Sequence, residues 1–238
     1  MELRIAVAKR DRYGESNSGD TVEIIERPNG GISVVLADGM LNNESNKAIS
    51  TMVSHRVIGN ISEGVRDGAA IRATSSRIFA EHNGAVKSDL NVISADLQSN
   101  TLLISRNSPV PVFIISLGQV DCLSADSEPI GGGPDITPSI VELPIRPDTV
   151  VIVFSDGVYN AGAHKQQNLD PCIVIEALVE EQEPTAKEIA DFLLNQAIRL
   201  DDGRPKDDLS VVVMTIIPQT TDKTRRISVS MNLTEDNE

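Results

Sequence analysis

Four aspartates stand where apolar strands meet turns. Asp38 follows the run 32–36 in the segment VVLADGM, and Asp156 follows the run 149–155 in VVIVFSDGVYNAG. Asp207 precedes the run 209–217 in KDDLSVVVM, and Asp20 sits in Gly19-Asp20 just ahead of a short strand over 22–25. A strand end is a rigid mount that can hold a side chain at the rim of a sheet. Carboxylates gathered at such a rim repel one another and raise each other's pKa, so they stay ionised only with cations between them. A donor set made only of oxygens selects hard ions such as Mg²⁺ or Mn²⁺. Taken singly, each Asp-Gly also reads as a turn dipeptide whose carboxylate bonds a nearby backbone N–H. The three histidines, His55, His82 and His164, show no metal-ligand spacing, which disfavours a His-based zinc centre or catalytic triad.

The elements that must position these acids are legible in the pattern. Leu3, Ile5 and Val7 alternate as in a half-buried strand, and Pro28-Asn29-Gly30-Gly31 supplies the turn of a hairpin joining 22–25 to 32–36. Two helices follow: Ile49, Met52, Val53, Val57 and Ile61 share one face, and a second helix over 62–82 ends at Asn83-Gly84. Strands return at 90–95, 101–105 and 112–116, and 127–138 reads as loop. Asp170-Pro171 opens a helix, and Thr185 to Glu188 forms a capping box for the next. After Pro218 the chain turns polar, yet Ile227, Val229, Met231 and Leu233 alternate, so a last strand is expected over 226–233.

Composition excludes several classes. The chain has 238 residues with a formal charge of −14, and aromatics make up only 3%. Nucleic-acid binding needs clustered Lys and Arg or aromatic platforms, so it is disfavoured. No apolar run reaches a membrane span and the N-terminus lacks a signal-peptide core, so a soluble cytoplasmic protein is expected. Cys122 and Cys172 lie far apart in the sequence, which indicates neither a zinc site nor a disulfide framework.

The ordered set of Gly19-Asp20, VVLADGM, VVIVFSDGVYNAG and KDDLSVVVM resembles the metal-dependent protein serine/threonine phosphatases (the PPM family), and within it the bacterial SpoIIE/RsbU/RsbX branch. The segment LNVISADLQSNTLLISRNSPVPVFI is similar to the same branch, so the resemblance covers residues 1–218 as one phosphatase domain. The tail, 219–238, is expected to add one strand to it. The resemblance implies an α+β fold, a β-sandwich of two mainly antiparallel sheets flanked by helix pairs. It implies two divalent cations, Mn²⁺ or Mg²⁺, bridged by Asp38 and held further by the Gly39 carbonyl, Asp20, Asp156 and Asp207. Asp207 is preferred to its neighbour Asp208 because the first acid of the matching family motif is the ligand. The implied reaction is hydrolysis of phosphoserine or phosphothreonine by a water that the two metals activate, with Asp38 and Asp156 at its centre. The implied partner is a phosphorylated bacterial regulatory protein of the anti-sigma-antagonist or stressosome type, with selectivity in the loops 118–138 and 161–168.

The sequence also departs from that pattern. Relatives continue Asp38-Gly39 with further glycines or a His, whereas here Met40 and Leu41 follow. Met40 has no proton to give, and Leu41 does not readily adopt a left-handed conformation. This motivates a second reading, a catalytically weak or silent phosphoprotein-binding module on the same fold. A third takes the acids as turn caps of an unrelated acidic β-rich binding protein.

Overall fold

A computed structural model describes residues 1–15, 17–42, 44–125, 127–167, 169–181 and 184–218, and the single positions 224, 226 and 230. Apart from the single positions 226 and 230, the expected strand over 226–233 therefore lies outside the described residues. One sheet takes β1 (Glu2–Arg10), β11 (Leu209–Ile217), β10 (Thr149–Phe154), β7 (Val112–Ser116) and β8 (Gln119–Leu123), in that order. The other takes β2 (Asp20–Glu26), β3 (Gly31–Leu41), β5 (Val86–Asp96), β6 (Thr101–Asn107) and β9 (Ser139–Pro144), with the two-residue β4 (Glu44–Ser45) paired to β3. All of the recorded pairings between these strands are antiparallel.

Period-two alternation separates three apolar layers. Val34, Leu36, Ile93 and Ile104 meet Val151, Val153, Val212 and Met214 between the sheets. The opposite faces of the same strands are covered by helices. Val35, Ala37, Leu90 and Val92 pack under α1 (Lys47–Ser62) and α2 (Asp67–His82). Phe113, Ile152, Phe154 and Val211 pack under α4 (Pro171–Glu181) and α5 (Ala186–Leu200). A single turn of helix, α3 (Asp156–Tyr159), follows β10 directly. The result is helix, sheet, sheet, helix, the α+β sandwich that the resemblance implies.

Several boundaries move. The second helix starts at Asp67, not near 62, because the chain first turns through Gly64 at φ 87°. Asp38 and Gly39 do not close β3 as a turn; the strand runs on to Leu41, paired through Asp38 and Gly39 to β5 and then to β4. Strands β8 and β9 fall in stretches with no strand assigned from sequence. Both are half-exposed and short, so their apolar alternation is weak. The capping box at Thr185 and Glu188 forms as expected. Among the described residues no helix is long and apolar enough to cross a membrane.

One buried ion pair pins α2 to the sheet below it. The Arg27 guanidinium donates to Asp67 Oδ1 at 2.7 Å and to the hydroxyls of Ser33 and Ser94. The Asp67 side chain is fully buried, and its second oxygen has no partner. Replacing Arg27 by Met would leave that carboxylate uncompensated, at a cost of about 3–5 kcal/mol. Urea unfolding is the measurement, and an unchanged midpoint would contradict this reading of the pair.

Candidate metal centre

The inner faces of the strands, followed toward one end of the sandwich, change from apolar to polar together. Val22 gives way to Asp20 on β2, Leu36 to Asp38 on β3, and Ile93 to Asn91 and Asp89 on β5. In the facing sheet Val153 gives way to Ser155, and Val212 to Ser210 and Asp208. Register aligns the acids: Asp20 is paired with Asp38, and Asp38 with Asp89, so three carboxylates form a row across adjacent strands on one face. Asp38, Asp89 and Asn91 line a narrow cleft with Ser108, Ser155 and Asp156. Asp207 stands in the loop before β11, near enough to Asp156 to feel its charge.

Burial and crowding set the electrostatics. The Asp38 carboxyl is pushed up to about 10, first by burial and then by Asp20, Asp156, Asp89 and Asp207. Asp20 rises to about 7 through burial, with the Ser210 and Ser155 hydroxyls and Lys9 pulling it back. Asp89 rises to about 6, again through burial, while Ser108 donates to its Oδ2 at 3.0 Å. Asp207 is raised by burial and then by Asp156. Asp20 is 1% exposed, yet its Oδ2 has no hydrogen-bond partner, and the buried Asn91 Oδ1 has none either. Such orphaned oxygens facing other carboxylates fit a hard cation better than any protein donor nearby. Among the described residues, however, no three His, Cys, Asp or Glu side chains draw together tightly enough to form a ready metal cage.

Close backbone packing holds the acids in place. A Cβ on Gly39 would lie 2.2 Å from the Ser50 nitrogen at the start of α1, and one on Gly157 would lie 2.2 Å from the Asp208 carbonyl. The Asp-Gly pairs thus mark close approaches of separate segments, not free turns. The Gly39 carbonyl accepts the Asn46 N–H at 2.7 Å, which occupies one of its two lone pairs. Lys9 and Lys47 both donate to the Asp20 carbonyl, at 2.8 and 2.6 Å, and so fix the backbone that carries this buried acid.

The neighbouring acids Asp207 and Asp208 differ in what they touch. Asp208 is buried, and its two oxygens accept the N–H groups of Arg12 and Gly19 at 3.0 and 2.7 Å. It clamps the β1–β2 connection onto the start of β11. Asp207 accepts only the Asp208 N–H among the recorded bonds, at 2.9 Å. Asp89 escaped the sequence reading because it sits inside a strand, away from any turn. Its signal was alternation: a carboxylate at 89 in phase with Asn91, Ile93 and Ala95, which face inward.

Asp208→Asn would set an amide NH₂ against a backbone N–H and is expected to lower stability by about 1–3 kcal/mol. Asp207→Asn removes a repelled charge and should leave the urea midpoint unchanged or higher. The pH dependence of the metal-free protein follows from the raised carboxyls. They bind protons more tightly folded than unfolded, so their contribution is complete below the ordinary aspartate range and is lost as pH rises through about 6, 7 and 10. Melting temperatures should fall across that interval, and a flat profile would refute the electrostatic account.

Comparison with known proteins places this arrangement. The family model described as Stage II sporulation protein E (SpoIIE) matches residues 28–217, from the turn before β3 to the end of β11. That span contains Asp38, Asp89, Asp156 and Asp207, while Asp20 precedes it. Stage II sporulation protein E of Priestia megaterium is 26% identical over 207 residues, covering 87% of this chain and 35% of the relative. The Bacillus subtilis (strain 168) protein is 26% identical over 205 residues, covering 84% and 24%. The chain thus spans only a quarter to a third of these relatives. Among solved structures, the PP2C phosphatase domain of SpoIIE from Bacillus subtilis, with a fragment of its regulatory domain, superposes with a TM-score of 0.76 at 22% identity, covering 92% of this chain and 64% of that one. The catalytic domain of the serine/threonine protein phosphatase PstP, solved with two manganese ions, gives 0.69 at 19% identity, covering 91% and 99%. With a family model matched over most of its length and the PP2C sandwich beneath it, this chain belongs to the SpoIIE family.

Proposed function

We propose that the chain is a metal-dependent phosphatase domain that hydrolyses phosphoserine or phosphothreonine in a regulatory partner protein. The observation that carries this reading is the row Asp20–Asp38–Asp89 on one inner face, with Asp156 and Asp207 against it. So many buried carboxylates have no stabilising purpose in themselves, because each raises the cost of ionising the next. Asp38, Asp156 and Asp207 would hold two divalent cations of the Mn²⁺ or Mg²⁺ class, with Asp20 behind Asp38 and the free lone pair of Gly39 beside it. When bound, such ions neutralise the carboxylates, lower the pKa of water at the site and stabilise charge on phosphoryl oxygens.

The chain's own groups complete the site. Ser108 donates to Asp89 and so orients that carboxylate toward the cleft. Ser155, bonded to the Asp208 carbonyl at 3.1 Å, keeps the end of β10 against the start of β11, so Asp156 and Asp207 stay together. The apolar interlayer closes the inner end of the cleft to water, which leaves solvent and substrate one side of approach. Arg106 donates to the carbonyls of Ser108, Val110 and Ala125, tying the cleft to the loop that follows β8. That loop walls a groove of about 380 Å³ between Pro109 and Thr137, where a protein chain flanking the phosphorylated residue could lie. A net charge of −14 repels a phosphoprotein, so approach depends on cations reversing the sign within the cleft.

The test combines binding and turnover. Mn²⁺ at about 100 times its dissociation constant should stabilise the protein by roughly 2.7 kcal/mol, read as a rise in melting temperature of about 5–10 °C. Hydrolysis of an aryl phosphate should need Mn²⁺, stop with chelator and be lost in Asp38→Asn. Met40→Ala should change the rate little. A rise in melting temperature without turnover, with a phosphoprotein still bound, would favour the silent module. The absence of both stabilisation and turnover on adding Mn²⁺ would refute the metal centre.

A further inference from the structure

Cys122 and Cys172 stand 50 positions apart in the chain, and the fold brings the elements that carry them into contact. Cys122 lies on β8 opposite Phe113, as Val120 lies opposite Ile115. Phe113 and Ile115 belong to the layer under α4 and α5, and Val120 packs against it, so alternation turns Cys122 toward the same helix-covered face. Cys172 is the second residue of α4, whose first turn is held by Asp170 Oδ1 accepting the N–H groups of Cys172 and Ile173 at 3.1 and 3.3 Å. It packs against that same layer, and α4 lies along β8. The two thiols thus lie on the same side of the sheet, on elements in contact with each other. Burial, and then the charge and hydrogen bonding of Cys122, hold the Cys172 thiol above its usual range. Both thiols are free, Cys122 exposed and Cys172 half-buried.

We propose that Cys122 and Cys172 form an oxidation site, a dithiol that closes to an intramolecular disulfide when a peroxide reaches Cys122. The exposed thiol meets the oxidant and the half-buried one resolves it. Cys122 sulfur attacks a peroxide oxygen: an S–O bond forms, the O–O bond breaks and one water leaves, giving a sulfenic acid. Cys172 sulfur then loses its proton and attacks Cys122 sulfur: the S–S bond forms, the S–O bond breaks and a second water leaves. Two electrons pass from the two sulfurs to the peroxide. In a reducing compartment the pair rests as the dithiol, and a disulfide there is a transient, oxidant-driven state.

The full chain, reduced and then freed of reductant, is treated with hydrogen peroxide, denatured and alkylated with N-ethylmaleimide. Two alkylatable thiols should fall to none, with an intact mass about 2 Da lower and no dependence on protein concentration. The bridge should raise the melting temperature by roughly 5–10 °C, and dithiothreitol should reverse both changes. Cys122→Ser and Cys172→Ser should each prevent bridging, and Cys172→Ser should leave a sulfenic acid on Cys122 that dimedone captures. Because Cys122 is exposed, Cys122→Ser separates thiol chemistry from any effect on packing. Two thiols retained after peroxide would overturn the proposal. So would disulfide-linked dimers in place of the internal bridge, or sulfinic acid on Cys122 with Cys172 unchanged.

Discussion

The repulsion among buried carboxylates at one end of the sandwich is the constraint on which the rest depends. Asp20, Asp38 and Asp89 face a low-dielectric interlayer, and each makes its neighbour harder to ionise. Among the described residues no side chain in the cleft cancels this: the donors near the row are hydroxyls, and Lys9 and Lys47 donate to the Asp20 carbonyl and not to a carboxylate, so that Lys9 eases the Asp20 charge only in part. The three apolar layers must therefore hold the carboxylates together against their own field. They do so with β-branched and aliphatic side chains, most of them fully buried.

That burden explains why precision is built from backbone contacts. Gly39 lets the start of α1 press on β3, and Gly157 lets α3 press on the loop carrying Asp207. Asp208 contributes the same kind of constraint through its two accepted N–H groups. A repelling pair held only by flexible side chains would relax apart. A repelling pair mounted on strands paired along their length cannot do so without breaking the ladder.

Much of this was legible because the period of the apolar residues is clear. The alternation over 3–7, the apolar runs ending at Asp38 and Asp156, and the capping box at Thr185 each mark an element by local chemistry. Asp89 was hidden because a carboxylate inside a strand carries no turn signal, and only the pairing of β3 with β5 brings it beside Asp38. β8 and β9 were hidden because outer strands with half-exposed faces lack a strong pattern. The approach of Cys122 to Cys172 is wholly non-local: it depends on α4 lying over β8, which no spacing in the chain encodes.

The departure at Met40 and Leu41 also resolves in physical terms. A loop rich in glycine is needed where positive φ falls on the residues just after Asp-Gly. Here β3 continues through Met40 and Leu41, which pair with Ser45 and Glu44, and the left-handed turn falls on Asn42 at φ 53°. Asparagine tolerates that conformation, and Leu41 is never asked to adopt it. The substitution of bulk for glycine therefore leaves the backbone at Asp38 unstrained, carried by two paired strands on either side. What Met40 removes is a proton donor, not a geometry. On the proposed reading, the site's capacity for chemistry then turns on charge, on whether cations settle among Asp38, Asp156 and Asp207, and not on the missing glycines.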